Sequence, residues 1–227
     1  MSQLNERFIE TCIDNANNLK SKIDQSILDI EGQSSPKVRH LLNNLCSFKN
    51  CKYLEIGSLL GSTFCSACYK NNLTRAVSID NFSEFFLNDK ATREKVLATY
   101  TQVNDCFNML RDETIKTYKS NIEKFCIGSR TESIIDNFRN VDLRGGRFNV
   151  YFYDGKHDAP DQFDAIKYIL PYLNIGAIII IDDYETLEGA IIGTELAISE
   201  LDLSIKREWV LKKNDGYWEG LWLGLLG

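Results

Sequence analysis

The chain has 227 residues, with 26 Lys and Arg against 32 Asp and Glu, a net charge of -6. That balance, with no stripe of clustered basic residues, argues against a nucleic-acid backbone as the main partner, because phosphate contacts need grouped cations. No apolar run approaches the roughly 20 residues of a membrane span, and the opening MSQLNERFIE lacks the basic start and apolar stretch of a signal peptide. The 44% hydrophobic and 26% charged content is that of a globular protein. Seven scattered cysteines, an odd number, fit reduced buried thiols better than a disulfide framework. The expectation is a cytoplasmic, enzyme-sized domain.

Apolar residues at helical spacing run through 4–30 and end at the breaker GQSSP. Ser35 followed by Pro36 reads as an N-cap and a first helical position, opening a helix over 36–48. These N-terminal helices, residues 1–48, precede a single core domain over 49–227. Strands are expected at 52–56, 75–80, 123–127, 148–153 and 176–181, and helices at 61–71, 131–138, 161–173 and 188–201. Unbroken Ile-rich runs suit a parallel sheet covered on both faces. Two last strands, 203–212 and 217–225, flank Asn214-Asp215-Gly216, a hairpin signal. The result is an α/β, Rossmann-like, seven-stranded and mostly parallel sheet with an antiparallel C-terminal hairpin. A helical insert over 83–121 interrupts the core between the second and third strands, a position suited to lids and binding surfaces.

The first strand runs into Glu55-Ile56-Gly57-Ser58-Leu59-Leu60-Gly61. Gly57 lets a ligand approach the backbone closely, and Gly61 permits tight packing of the next helix. A dinucleotide site would want G-x-G-x-x-G at this turn. The carboxylate of Glu55 would repel a pyrophosphate, yet suits a cationic ligand that carries an amine and a sulfonium. The second strand ends in Asp80, about 20 residues beyond the turn, where a carboxylate can accept from both hydroxyls of a ribose. In its E-x-G-x-x-x-G turn the sequence resembles the class I methyltransferases. The resemblance implies S-adenosylmethionine as cofactor, held by Glu55, Gly57, Ser58, Gly61 and Asp80. It also implies an adenine-side loop at Gly128 and Ser129, residues that equally suit a plain helix N-cap.

Asp154-Gly155-Lys156-His157 leaves one expected strand, and Asp182-Asp183 leaves another. Both stand at carboxyl ends of parallel strands, where open α/β sheets bind ligands. Three carboxylates gathered there would repel one another unless protons or a cation intervened, and oxygen-rich sites suit Mg²⁺. The pattern D-G-x-H, helix, G-x-I-I-I-x-D-D is similar to O-methyltransferases related to the catechol and macrolide-sugar enzymes. That resemblance implies Mg²⁺ or another divalent metal on Asp154, Asp182 and Asp183, with Asp154 serving catalysis. It also implies His157 as the base that takes the acceptor's proton.

The expected activity is methyl transfer to a hydroxyl of a small molecule, a sugar among the candidates. Two rivals are an NAD-dependent oxidoreductase and a non-catalytic S-adenosylmethionine-binding protein. Neither a nucleic acid nor a membrane is expected as partner. The N-terminal helices would cover either a substrate cleft or a neighbouring subunit of a homo-oligomer. Cys65 and Cys68 read as a packed helix face, because zinc wants four ligands. His40 reads as structural, and the three tryptophans as cross-strand packing in the hairpin. Tyr184 suits either a pocket wall or strand-end packing.

Overall fold

The computed structural model describes residues 4–83, 103–213, 218 and 220–227. Three short helices come first: α1 (Glu6–Asn17), α2 (Gln25–Leu28) and α3 (Pro36–Leu45). Each begins at a side-chain cap, Asn5, Asp24 or Ser35, that accepts a backbone N–H the helix itself leaves unpaired. The core then alternates: β1 (Lys52–Ile56), α4 (Ser62–Cys68), β2 (Arg75–Ile79), α5 (Val103–Phe125), β3 (Thr131–Ile134), β4 (Phe148–Tyr153), α6 (Ala159–Ile169), β5 (Leu173–Ile181) and α7 (Glu188–Glu200). It closes with β6 (Ile205–Leu211) and β7 (Leu221–Leu226).

The seven strands lie in the order β3-β2-β1-β4-β5-β7-β6. The first five are parallel neighbours, and β7 joins β5 and β6 antiparallel. This is the mostly parallel, Rossmann-like sheet with an antiparallel C-terminal hairpin that the sequence predicts. Side-chain alternation sends Tyr53, Val150, Phe152, Ile178 and Ile180 to the face covered by α1, α3 and α4. Leu54, Tyr151, Tyr153, Ile179 and Ile181 go to the face covered by α6 and α7. Every residue of the run Ala177–Ile181 is therefore buried, on one face or the other. The N-terminal helices share the first of these cores. Trp218 ties them to the C-terminal segment, its indole N–H donating to Asn17 at 3.0 Å. It is thus a contact between distant segments, beyond the cross-strand packing expected of it.

Two expected elements are exchanged. Residues 123–125 finish the long helix α5 instead of forming a strand, and the strand lies at Thr131–Ile134, where a helix was expected. Along α5 the buried positions Leu110, Thr114, Tyr118 and Phe125 recur at helical spacing. β3 is an edge strand with two exposed residues, Glu132 and Ser133, so it lacks the apolar run that marks the central strands. Of the expected 83–121 insert, 103–121 belongs to α5, and 84–102 lies outside the described residues. So does the Asn214-Asp215-Gly216 turn. Cys65 and Cys68 are buried in α4, and His40 is buried with its Nδ1 2.8 Å from the Ser21 hydroxyl. Tyr184 packs on Trp222 with ring centroids 6.2 Å apart. Among the described residues, no helix is long and apolar enough to cross a membrane.

Candidate active site

The sheet order reverses between β1 and β4, and the carboxyl ends of diverging strands leave a crevice at such a switch point. A cleft of about 1200 Å³ opens there, somewhat larger than the usual ligand site of about 300–1,000 Å³. Its floor is the turn after β1. Gly57 has φ +87°, and a Cβ on it would stand 1.8 Å from the Asp154 carbonyl oxygen. Gly61 has φ +83° and faces the Tyr118 ring at 3.2 Å from where a Cβ would be. Both positions need glycine for the left-handed backbone and for close approach. The approach at Gly57 is to the neighbouring strand's end, so this glycine brings the β1 and β4 loops together.

Asp80 lines the cleft and also fastens the turn. Its Oδ2 accepts from the N–H groups of Ser58 at 2.9 Å and Leu59 at 2.8 Å, and its Oδ1 from Phe82 at 2.7 Å. Glu55 is placed differently from expectation. It is fully buried on the α4 side of the sheet and does not line the cleft. Its oxygens accept from the Tyr53 hydroxyl and, at 2.8 Å, from Thr63. Desolvation pushes its carboxyl up to about 7, against the pull of those hydroxyl donors. The period-two alternation of β1 explains the outcome: Leu54 and Ile56 face one layer, so Glu55 must face the other.

Gly128 and Ser129 are likewise away from the cleft, ahead of the amino end of β3. Gly128 packs against the Asn72 side chain, and the Ser129 hydroxyl accepts from the Leu73 N–H at 2.9 Å. The exchange of helix and strand in this region accounts for the misplacement. The loop that does reach the cleft follows β3 and contributes Asp136, Asn137, Phe138 and Arg139. Arg139 anchors it to α6 through Asp161 at 2.8 Å and Asp164 at 2.7 Å. Asp136, two residues beyond a short polar strand, is the sequence signal for this loop.

Asp154, His157, Asp182 and Asp183 all line the cleft, on the far side of the turn from Asp80. The His157 Nε2 is 3.8 Å from Asp154 Oδ1 and 3.8 Å from Asp183 Oδ2, with its side chain 15% exposed. Asp183 adopts φ +49°, a left-handed conformation that Asp tolerates better than most residues. Thr186 holds it there, its hydroxyl donating to Asp183 Oδ1 at 2.7 Å. Asp182 is buried, and its Oδ1 has no hydrogen-bond partner among the described residues. Burial, and then the charge of Asp183, push the Asp182 carboxyl up to about 7. Among the described residues, no three His, Cys, Asp or Glu side chains stand grouped so that they could hold a metal ion. The acids are a set of oxygen donors around a cleft, not a closed metal centre.

A family profile described as a methyltransferase domain matches residues 54–184, from β1 through the acid pair. No curated protein matches the sequence. Among solved structures, the chain is similar to the O-methyltransferase TomG from Streptomyces achromogenes in complex with SAM. Identity is 16%, with 100% of this chain and 99% of that one covered at a TM-score of 0.60. An O-methyltransferase from Bacillus cereus in complex with SAH aligns at 16% identity, over 98% and 92% of the two chains, with a TM-score of 0.53. The tRNA (m1A58) methyltransferase TrmI from Aquifex aeolicus aligns at 14% identity over 95% and 76%, also at 0.53. At these identities the likeness is one of fold.

Proposed function

This chain belongs to the methyltransferase-domain family, and from that premise we propose that it moves a methyl group from S-adenosylmethionine to a hydroxyl of a small, oxygen-rich acceptor. One observation carries the reading. A single cleft has the glycine turn and Asp80 on one side and His157 among three carboxylates on the other. The first group suits a nucleoside, with Asp80 and the Gly57–Gly61 turn beneath it and the Asp136–Phe138 loop beside its base. The second suits an acceptor whose hydroxyl must lose a proton.

As the acceptor oxygen bonds to the methyl carbon, the carbon–sulfur bond breaks and its electron pair stays on sulfur. The acceptor's proton passes to His157 Nε2. Asp154 and Asp183, each 3.8 Å from that nitrogen, favour the imidazolium that results. The buried, unpartnered Oδ1 of Asp182 offers an acceptor for a further donor on the substrate. In chemical type the same acids are donors that a divalent cation takes, although among the described residues they do not stand grouped to hold one. A cation on Asp154, Asp182 and Asp183 would need these side chains drawn closer together, and would then lower the pKa of the acceptor hydroxyl. The net charge of -6 supports a small acceptor over a polynucleotide.

Asp154→Ala combined with Asp182→Ala is expected to abolish methyl transfer while S-adenosylmethionine binding persists in a calorimetric titration. Full turnover by the double variant would contradict the reading. Undiminished turnover in excess chelator would remove the cation alone and leave the rest standing.

A further inference from the structure

The connection between α2 and α3 passes over the cleft, where Gly32, Gln33 and Ser34 line it beside Gly57, Ser58 and Ser62. One side chain gathers this segment. Arg39 of α3 is 4% exposed, and its Nη1 donates to the carbonyls of Ile30 at 2.9 Å, Leu28 at 3.1 Å and Ile27 at 3.3 Å. Its Nε donates to the Ser34 carbonyl at 3.1 Å. These four carbonyls bracket residues 31–33 from both sides. Burying a cation is costly unless its donors are satisfied. The planar guanidinium satisfies several carbonyls at once, which the point charge of a lysine cannot do in the same geometry.

The bracketed segment meets the cofactor turn at a close approach. A Cβ on Gly32 would stand 2.2 Å from the Ser62 Oγ and 2.8 Å from the Ser62 Cβ, at the first residue of α4. Gly32 has no positive φ, so contact distance alone calls for glycine here. An Ala at this position would meet Ser62 first, with Arg39 Nη2 next at 3.3 Å, and would not strain its own backbone.

We infer that Arg39 is a positioning residue that holds residues 31–34 as a strap against the start of α4, so that the N-terminal helices supply one wall of the cofactor half of the cleft. The inference rests on the S-adenosylmethionine reading above. It assigns the N-terminal helices to cofactor retention and leaves acceptor choice to other parts of the cleft.

The test uses the intact chain as wild type, Arg39→Lys, Gly32→Ala, Ser62→Gly and the Gly32→Ala/Ser62→Gly pair. Each is titrated with S-adenosylmethionine and assayed at saturating cofactor. Loss of a preorganised wall weakens binding by its ordering cost. Arg39→Lys and Gly32→Ala should therefore each raise the Kd and KM for S-adenosylmethionine about tenfold, with kcat and the acceptor KM nearly unchanged. In the Ser62→Gly background, Gly32→Ala should cost much less, since the group it collides with is gone. A purely structural role would instead lower the melting temperature and scale down kcat. Should Arg39→Lys fail to fold, the Gly32 and Ser62 cycle decides the matter by itself. Wild-type affinity in Gly32→Ala, or an equal loss in both backgrounds, overturns the strap. A wild type that binds no S-adenosylmethionine overturns the underlying function, and the strap's role falls with it.

Discussion

Glu55 stands two residues before the glycine turn, yet its charge is buried beneath that turn, braced by Tyr53 and Thr63. Cys46, Cys65 and Tyr118 feel its charge, and the charge of Asp80 acts on it in turn. Desolvation raises its carboxyl from an ordinary 4.5 to about 7. Between those values the folded chain holds a proton that the unfolded chain has released. Stability from this group is therefore full below the unfolded value and falls as pH rises towards 7. Glu55→Gln should flatten that fall, so that wild type minus variant melting temperature drops by several degrees from pH 5 to pH 8. Parallel pH curves for the two proteins would show that Glu55 does not titrate in this window. His157 makes a different kind of claim, on rate. Positioned bases contribute typically about 10²–10⁴-fold, so His157→Ala should lower kcat by about that factor while the S-adenosylmethionine Kd stays put. Unchanged turnover in single-turnover assays would take His157 out of the reaction.

Among the elements, α5 links the two loops that frame the cofactor side of the cleft. Asn121 donates to the Leu60 carbonyl at 2.9 Å, Tyr118 packs on Phe82 with ring centroids 5.5 Å apart, and Arg111 donates to the Asn81 carbonyl at 3.2 Å. Asn121→Ala frees the Leu60 carbonyl and should raise the S-adenosylmethionine KM several-fold, with a stability loss of about 1 kcal/mol. Steady-state kinetics and a denaturant titration check both parts, and an unchanged KM would show that the turn stands without α5. The same region marks where the sequence was hard to read. β1, β4 and β5 announced themselves because buried central strands must be apolar along their length. β3 lies at the sheet edge and needs no such run, whereas Phe125, Cys126 and Ile127 look like strand residues although Phe125 closes a helix. That exchange moved the third-strand loop from residues 135–139 to Gly128 and Ser129. In the site, Asp80, Asp154, His157, Asp182 and Asp183 were legible because acids at strand ends have a fixed place in such sheets. The facing of Glu55 follows from alternation too, since Leu54 and Ile56 take the opposite layer. The strap was not, since a buried Arg39 and the Gly32–Ser62 approach depend on contacts between distant segments.

At the scale of the whole chain, the fold is shared with methyltransferases whose names point to unlike acceptors. An O-methyltransferase from a streptomycete and a tRNA methyltransferase from Aquifex aeolicus both align with nearly all of this chain. The fold alone therefore does not name an acceptor, and any choice among acceptors must come from the cleft's walls. Here the walls left for an acceptor combine carboxylates at the ends of β4 and β5 with the loop ahead of α7. An acidic chain with an acid-rich cleft should turn over neutral or cationic hydroxylated compounds in preference to phosphorylated ones.

What the crevice between β1 and β4 binds decides the function of this chain. Calorimetric titration of the purified chain with S-adenosylhomocysteine, and separately with NAD, tests it. The expected result is one saturable site per chain for S-adenosylhomocysteine, weakened at least about tenfold by Asp80→Ala, and none for NAD. Absence of any binding by S-adenosylhomocysteine, or a preference for NAD, would contradict it.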